Sequence, residues 1–181
     1  MKKLAFLSLI ILFAISAAYG HAQKSSNTQT RETNKESVPL KKLEGDKVST
    51  IARESFIADF GNVPNVKWQR SGTFDEAIFM KDGKEMIANY DIGGKLVGTT
   101  KVVTLADVPS KVQQELTKRY KDYKASTVIF YDDNEANDTD MIMYGIQFDD
   151  ADNYFVELTK GNSKIVVRVD MKGEVFFFKQ L

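Results

Sequence analysis

No cysteine occurs anywhere in this chain. Its absence removes thiolate nucleophiles, cysteine metal sites, disulfide staples and the acylated cysteine of a lipoprotein, so no covalent lipid anchor is expected. Histidine is almost missing too, the single one being His21. Histidine is the usual general base near neutral pH. Without it, Ser-His and Cys-His nucleophile systems cannot be assembled in the body of the chain. Zinc, which normally takes several His or Cys ligands, has no set to bind. An excess of one charge is also lacking, with 25 basic residues against 25 acidic. Nucleic acid is therefore not an expected partner, because nothing would neutralise its phosphates.

One long apolar run is present. Lys2 and Lys3 precede Leu4 to Ala18, and the small residues Gly20 and Ala22 follow. A charged start, a short apolar centre and a small-residue end make the pattern of a secretory signal peptide over residues 1–22. The run is short for a bilayer of roughly 30 Å, and no second one approaches that length, so no membrane span is expected after cleavage. The expectation is an exported protein, periplasmic or extracellular. An exported chain without disulfides fits a bacterial envelope better than a small disulfide-framed domain.

Residues 23–46 are dominated by Ser, Thr, Asn, Gln, Lys and Glu. Such a stretch buries too little apolar surface to offset its ordering entropy, and it reads as a disordered polar linker. Beyond it, Val48, Ile51, Ala52, Phe56 and Phe60 recur at helical spacing up to Gly61. Four strand candidates follow, Val66 to Arg70, Phe74 to Lys81, Lys84 to Asp91 and Lys95 to Val103. Ser71-Gly72, Asp82-Gly83 and Gly93-Gly94 punctuate them. A second helix opens at Pro109 and carries Val112, Leu116 and Tyr120 at four-residue steps. Strands are then expected over Ser126 to Tyr131, Met141 to Phe148, Tyr154 to Thr159, Ser163 to Val169 and Glu174 to Lys179.

The halves 47–104 and 105–181 can be laid over each other with a shift of 79 residues. Lys81 then meets Lys160, Asp91 meets Asp170 and Gly94 meets Gly173. Apolar positions coincide as well: Phe79 with Leu158, Met86 with Ile165, Ala88 with Val167, Leu96 with Val175. Strand side chains alternate faces, so matched apolar parity is what a duplicated unit must keep. The expected fold class is α+β, two tandem repeats, each an α-helix packed on an antiparallel β-meander.

Several phrases resemble a known family. Val66-Lys67-Trp68, Phe74 to Phe79, Asp82-Gly83, Ala88-Asn89-Tyr90-Asp91 and Gly94-Lys95-Leu96 resemble the PepSY-like, β-lactamase-inhibitor-like (BLIP-like) proteins. Val108-Pro109, Tyr120, Val169-Asp170 and Gly173 echo them in the second half. The resemblance implies a small exported protein of the kind found in Bacteroidetes-like envelopes, mostly without assigned activity. The motifs are turns and core positions. No inhibitory residue can be carried over, and fold does not give function.

Carboxylates are the remaining chemistry. Asp132, Asp133, Glu135, Asp138 and Asp140 crowd one loop, and Asp149, Asp150 and Asp152 the next. Oxygen ligands suit calcium, but Ala136 and Asn137 fall where an EF-type loop needs a ligand and a glycine. No catalytic residue, metal site or cofactor is therefore assigned, and Trp68 is assigned to the core. The aromatic side chains point elsewhere. If Met141 to Phe148 is a strand and Val175 and Phe177 face the helices, then Tyr144, Phe176 and Phe178 lie on a helix-free sheet face, with Phe74 and Ile78 as counterparts. The expectation is a non-catalytic binding or inhibitor-like module using those five residues on an unidentified envelope or extracellular protein. Its alternatives are a calcium-dependent or carboxylate-based hydrolase working through the acidic loops, and a self-associating envelope protein.

Overall fold

The computed structural model describes residues 40–181. The expected signal peptide, His21 and linker residues 23–39 lie outside the described residues. Helix α1 spans Thr50–Phe60 and starts where the Ser49 hydroxyl accepts the Ala52 N–H at 3.1 Å, a side-chain cap for an otherwise unpaired donor. It ends at Gly61. Strands β1 (Lys67–Arg70), β2 (Asp75–Lys81), β3 (Lys84–Tyr90) and β4 (Leu96–Val103) follow as a meander. A 3₁₀ turn, Leu105–Asp107, leads into α2 (Ser110–Arg119). After it come β5 (Lys124–Asp133), β6 (Met141–Met143), β7 (Ile146–Phe148), β8 (Asn153–Lys160), β9 (Ser163–Asp170) and β10 (Val175–Gln180).

Eight of these strands form one antiparallel sheet in the order β1-β2-β3-β4-β5-β8-β9-β10. The expected strand from Met141 to Phe148 is corrected here. It is two three-residue strands, β6 and β7, that pair with each other in a separate two-stranded sheet. Tyr144 and Gly145 both have positive φ, 52° and 76°, and turn the chain between them. A further correction concerns Phe177, expected in the core but 60% exposed. Phe177 pairs with Val167 and so keeps the helix-side parity, but it lies on the edge strand, where its ring stands outside the cluster that α2 covers.

Antiparallel partners share a face, so the register tells which residues each helix covers. Ala77, Phe79, Ala88 and Tyr90 pack with Ala52 and Phe56 of α1. Val128, Val156, Leu158, Ile165, Val167, Val169 and Val175 pack with Val112 and Leu116 of α2. Ala88 pairs with Thr99, and two positions on, Lys101 and Val103 pair with Phe130 and Val128. Parity thus runs unbroken from one cluster to the other, and both helices lie on the same face. Trp68, expected in the core, is half-buried and packs against the α1 cluster, edge-on to Phe56 at 5.5 Å.

Two turns set the helices onto the sheet. Asp91 Oδ1 accepts the N–H groups of Gly93 (2.7 Å) and Lys95 (3.0 Å), while its carbonyl accepts Gly94 N–H. Asp170 repeats this bond for bond with Lys172 (3.0 Å), Glu174 (2.8 Å) and Gly173. Gly94 and Gly173 have φ of 70° and 83°, a region that favours glycine. Each lies directly under a helix: a Cβ at Gly94 would collide with Ile51, and one at Gly173 would sit 3.1 Å from Val112.

A buried ion pair joins α1 to the sheet. Arg70 Nε and Nη2 donate to the Asp75 carboxylate at 2.7 and 2.8 Å, and Ser49 N–H donates to it at 2.9 Å. The third guanidinium nitrogen reaches the Glu44 carbonyl, and Leu43 N–H bonds the Gly72 carbonyl at 2.8 Å. Residues 40–46, expected within the linker, are held to the sheet through these bonds and through Leu40, which packs on a core cluster. Burial pushes the Asp75 carboxyl up, but hydrogen bonds from Arg70 and Ser49 outweigh it and hold it below the ordinary range. A depressed folded value contributes stability that is full above the unfolded value, about 3.9, and is lost as pH falls through the folded value. Asp75→Asn should therefore cost about 3 kcal/mol in urea unfolding at pH 7, a cost that shrinks steadily as pH falls below about 3.9; a cost independent of pH over that range would refute the ionic account.

Candidate interaction face

The face opposite the helices is built by residues of the other parity. On β2 and β3 these include Ile78, Met80 and Ile87, with Ile78 directly across from Ile87. Val102 on β4 pairs with Ile129 on β5, which pairs with Phe155 on β8, then Arg168 on β9, then Phe176 on β10. One row therefore crosses the sheet, but its cover changes along the way. Met80 and Val102 are 57% and 61% exposed. From β5 onward the β6–β7 hairpin lies on the face. Its Phe148 ring meets Tyr131 at 5.2 Å, Phe155 at 4.9 Å and Phe178 at 6.2 Å. Phe74, Val97, Met141 and Val166 complete this buried cluster.

The five residues singled out from sequence are dispersed by this arrangement. Phe74 is buried in the cluster at 3% exposure. Phe178 packs on Phe155 at 4.9 Å. Tyr144 sits at the hairpin turn and donates its hydroxyl to Glu157 at 3.0 Å. Phe176 is half-buried with the Arg168 guanidinium 5.4 Å from its ring. Ile78 alone lies on the open part, beside Ile87. Met80, Ile87 and Val102 escaped the sequence reading, although the Asp82-Gly83 hairpin already fixed the parity that exposes the first two. Glu157 and Arg168 carried no signal of their own, because their surroundings come from strands distant in sequence.

The acidic loops meet at one end of β5 and β8. Asp133 N–H donates to Asp152 at 2.8 Å, and Tyr131 O–H donates to Asp133 at 2.9 Å. Gln147 donates to Asp140 at 2.7 Å. Burial, then Asp152, pushes the Asp132 carboxyl up; burial, with Asp150 and Asp152, does the same to Asp133 against the Tyr131 bond. Among the described residues no group of three or more Asp, Glu, His or Cys is placed to hold a metal ion. A cleft of about 230 Å³ lies between Leu40, Phe74 and Ile92, and its one carboxylate, Asp91, is already engaged by turn N–H groups. Among the described residues no helix is long and apolar enough to cross a membrane.

Comparison with solved structures places this architecture. A BLIP-like protein from Bacteroides fragilis superposes with a TM-score of 0.58 and 16% identity, over 75% of this chain and 87% of that one. The fold is BLIP-like. A DUF2874 family protein from Bacteroides uniformis gives 0.62 at 14% identity, over 74% and 90% of the two chains. A protein of Bacteroides eggerthii described as periplasmic gives 0.60 at 14%, over 74% and 89%. No family model and no curated protein matches the chain.

Two outcomes test the site as drawn. Phe178→Ala should lose about 3 kcal/mol of unfolding free energy through the cavity it leaves, and Phe177→Ala should stay within about 0.5 kcal/mol; denaturant unfolding measures both. Asp132→Asn should raise the melting temperature near neutral pH. A carboxyl whose folded value is raised weakens the fold as pH climbs from the unfolded value of about 3.9 through the folded one, so the gain should vanish on acidification to pH 3.

Proposed function

We propose that this protein is an exported, non-catalytic module, periplasmic or extracellular, that engages a protein or envelope ligand through its helix-free sheet face. The observation that carries this reading is the group of Ile78, Met80, Ile87 and Val102 on β2 to β4, apolar side chains that no helix covers and that only Glu85 interrupts. Sheet faces of antiparallel domains turned to water normally alternate to polar residues. Here Met80 and Val102 stand more than half exposed on either side of Glu85, next to the half-buried pair Ile78 and Ile87, more apolar surface than such a face needs. The BLIP-like fold and a neighbour described as periplasmic support the exported binding role. We also read the two halves as copies of one helix-plus-meander unit. The support is the bond-for-bond match of the Asp91 and Asp170 turns, each with its glycine packed under a helix. On that reading the second copy gained the β6–β7 insertion, and the first kept its face open.

The test uses the chain from residue 23 onward as bait in an envelope extract, beside a Met80→Glu/Val102→Glu variant. Both substituted side chains are exposed, so melting should be unchanged within about 0.5 kcal/mol. A ligand retained by the parent and lost by the variant is the expected result. Equal retention by both would remove the face from consideration. Size-exclusion chromatography of the two proteins alone would reveal a second copy as the ligand, through a concentration-dependent dimer that the variant loses.

A further inference from the structure

The sheet face away from the helices is occupied on one half and open on the other, so the molecule itself shows what that face accepts. On the covered half the occupant is a short hairpin, β6–β7. It seats Phe148 against Phe155 at 4.9 Å and Phe178 at 6.2 Å. At its turn the Tyr144 hydroxyl donates to Glu157 at 3.0 Å. The Glu157 carboxylate is only 9% exposed, and burying such a charge is costly unless it is paired. Lys164 on β9 supplies the pair at 2.8 Å. Where the face is covered, aromatic burial and a neutralised carboxylate go together.

The open half has the apolar part of this arrangement without the cation. Ile78 and Ile87 lie half-buried across from each other, with Met80 and Val102 exposed beside them. Glu85 stands between those two, opposite Met80 on β2 and next to Val102 on β4. Among the described residues its carboxylate has no ion pair and no hydrogen bond. Lys67 shares the face, opposite Ile78 on β1, but two strand spacings, roughly 10 Å, separate it from Glu85. Lys84 and Lys101 have the parity of Met86 and belong to the helix side. A purely apolar partner would strand Glu85 without water or counter-charge, and an acidic one would repel it.

We propose that the open half receives a loop or hairpin of a partner protein that carries an aromatic or aliphatic anchor beside a Lys or Arg. The anchor covers Ile78, Ile87 and Val102, and the cation meets Glu85. This rests on the reading of that face as the binding surface and names the chemistry of its partner. Arginine suits the position best, because its guanidinium is weakly hydrated and holds a carboxylate with two donors. Small molecules need a concave site, whereas this is the broad side of a sheet.

The test pans a displayed library of disulfide-closed random loops against the chain from residue 23 onward. Because the chain has no cysteine, it cannot exchange with the loop disulfides. Retained loops should be enriched in Lys and Arg next to an aromatic or aliphatic residue. Their binding should disappear with Met80→Glu/Val102→Glu and fall about fivefold with Glu85→Gln. Panning on Glu85→Lys should return acidic loops instead. Melting curves check that each variant folds, and Glu85→Gln, nearly isosteric, decides should charge reversal unfold the chain. Loops that require Met80 and Val102 but bind all Glu85 variants equally would overturn the partner chemistry and leave the face standing. Loops indifferent to every substitution would overturn both. Phosphatidylglycerol vesicles probe the other kind of partner: co-sedimentation of the parent, lost with Met80→Glu/Val102→Glu, would assign the face to a membrane and overturn the protein loop.

Discussion

A β-sheet has two faces, and in this protein the helices cover one. Among the described residues α1 and α2 lie on the same side of eight strands, because the parity that buries Ala88 under α1 continues through Val103 to Val128 under α2. The side left over is the one on which the proposed contact would fall. Half of that side is roofed by an inserted hairpin whose phenylalanine fills the aromatic cluster. The other half meets solvent through Met80 and Val102. Helix-on-sheet packing thus covers one side of the sheet along its length and leaves the other covered only in part.

The holding side depends on polar details as much as on apolar area. Arg70 and Asp75 face each other across the β1–β2 hairpin, and the same carboxylate receives the backbone of the residue that caps α1. One buried anion therefore fixes the position of a helix start relative to a strand pair. The Asp91 and Asp170 turns act likewise, each bringing a glycine close enough for a helix side chain to rest on backbone. A side chain at either glycine would lift the helix and loosen the apolar layer beneath it.

Much of this was legible in the chain. Both helices, the strands of the first meander and most of the second were set by periodicity, by Asp-Gly and Gly-Gly turns and by the glycine and proline at helix boundaries. The misreadings have a common cause. Met141 to Phe148 has the alternation of a strand, and Tyr144-Gly145 gives little sign of a turn, since tyrosine rarely takes positive φ; the bonds that hold Tyr144 there come from Glu157 and Lys179, on strands of the main sheet. Phe177 has the inward parity that alternation gives it, opposite Val167, but alternation does not tell how far along an edge strand the helix layer reaches. Phe74 and Phe178 read as exposed aromatic anchors because alternation alone places the hairpin that buries them within the sheet. The open strip, by contrast, lay in plain view: once Asp82-Gly83 pairs β2 with β3, Ile78, Met80 and Ile87 must share a side.

The two outer strands carry one more consequence. β1 is only four residues long, and its last residue, Arg70, is engaged with Asp75. β10 is kinked by its bulge, and its Val175 carbonyl is taken by Arg119 at 2.8 Å. Open sheets with long straight borders recruit further strands and grow into fibres. Both borders here are blunted, so copies of this chain are poor templates for polymerisation. Greasy surface can then be tolerated on the broad side of the sheet, because the route by which it would seed aggregates is closed at the rims.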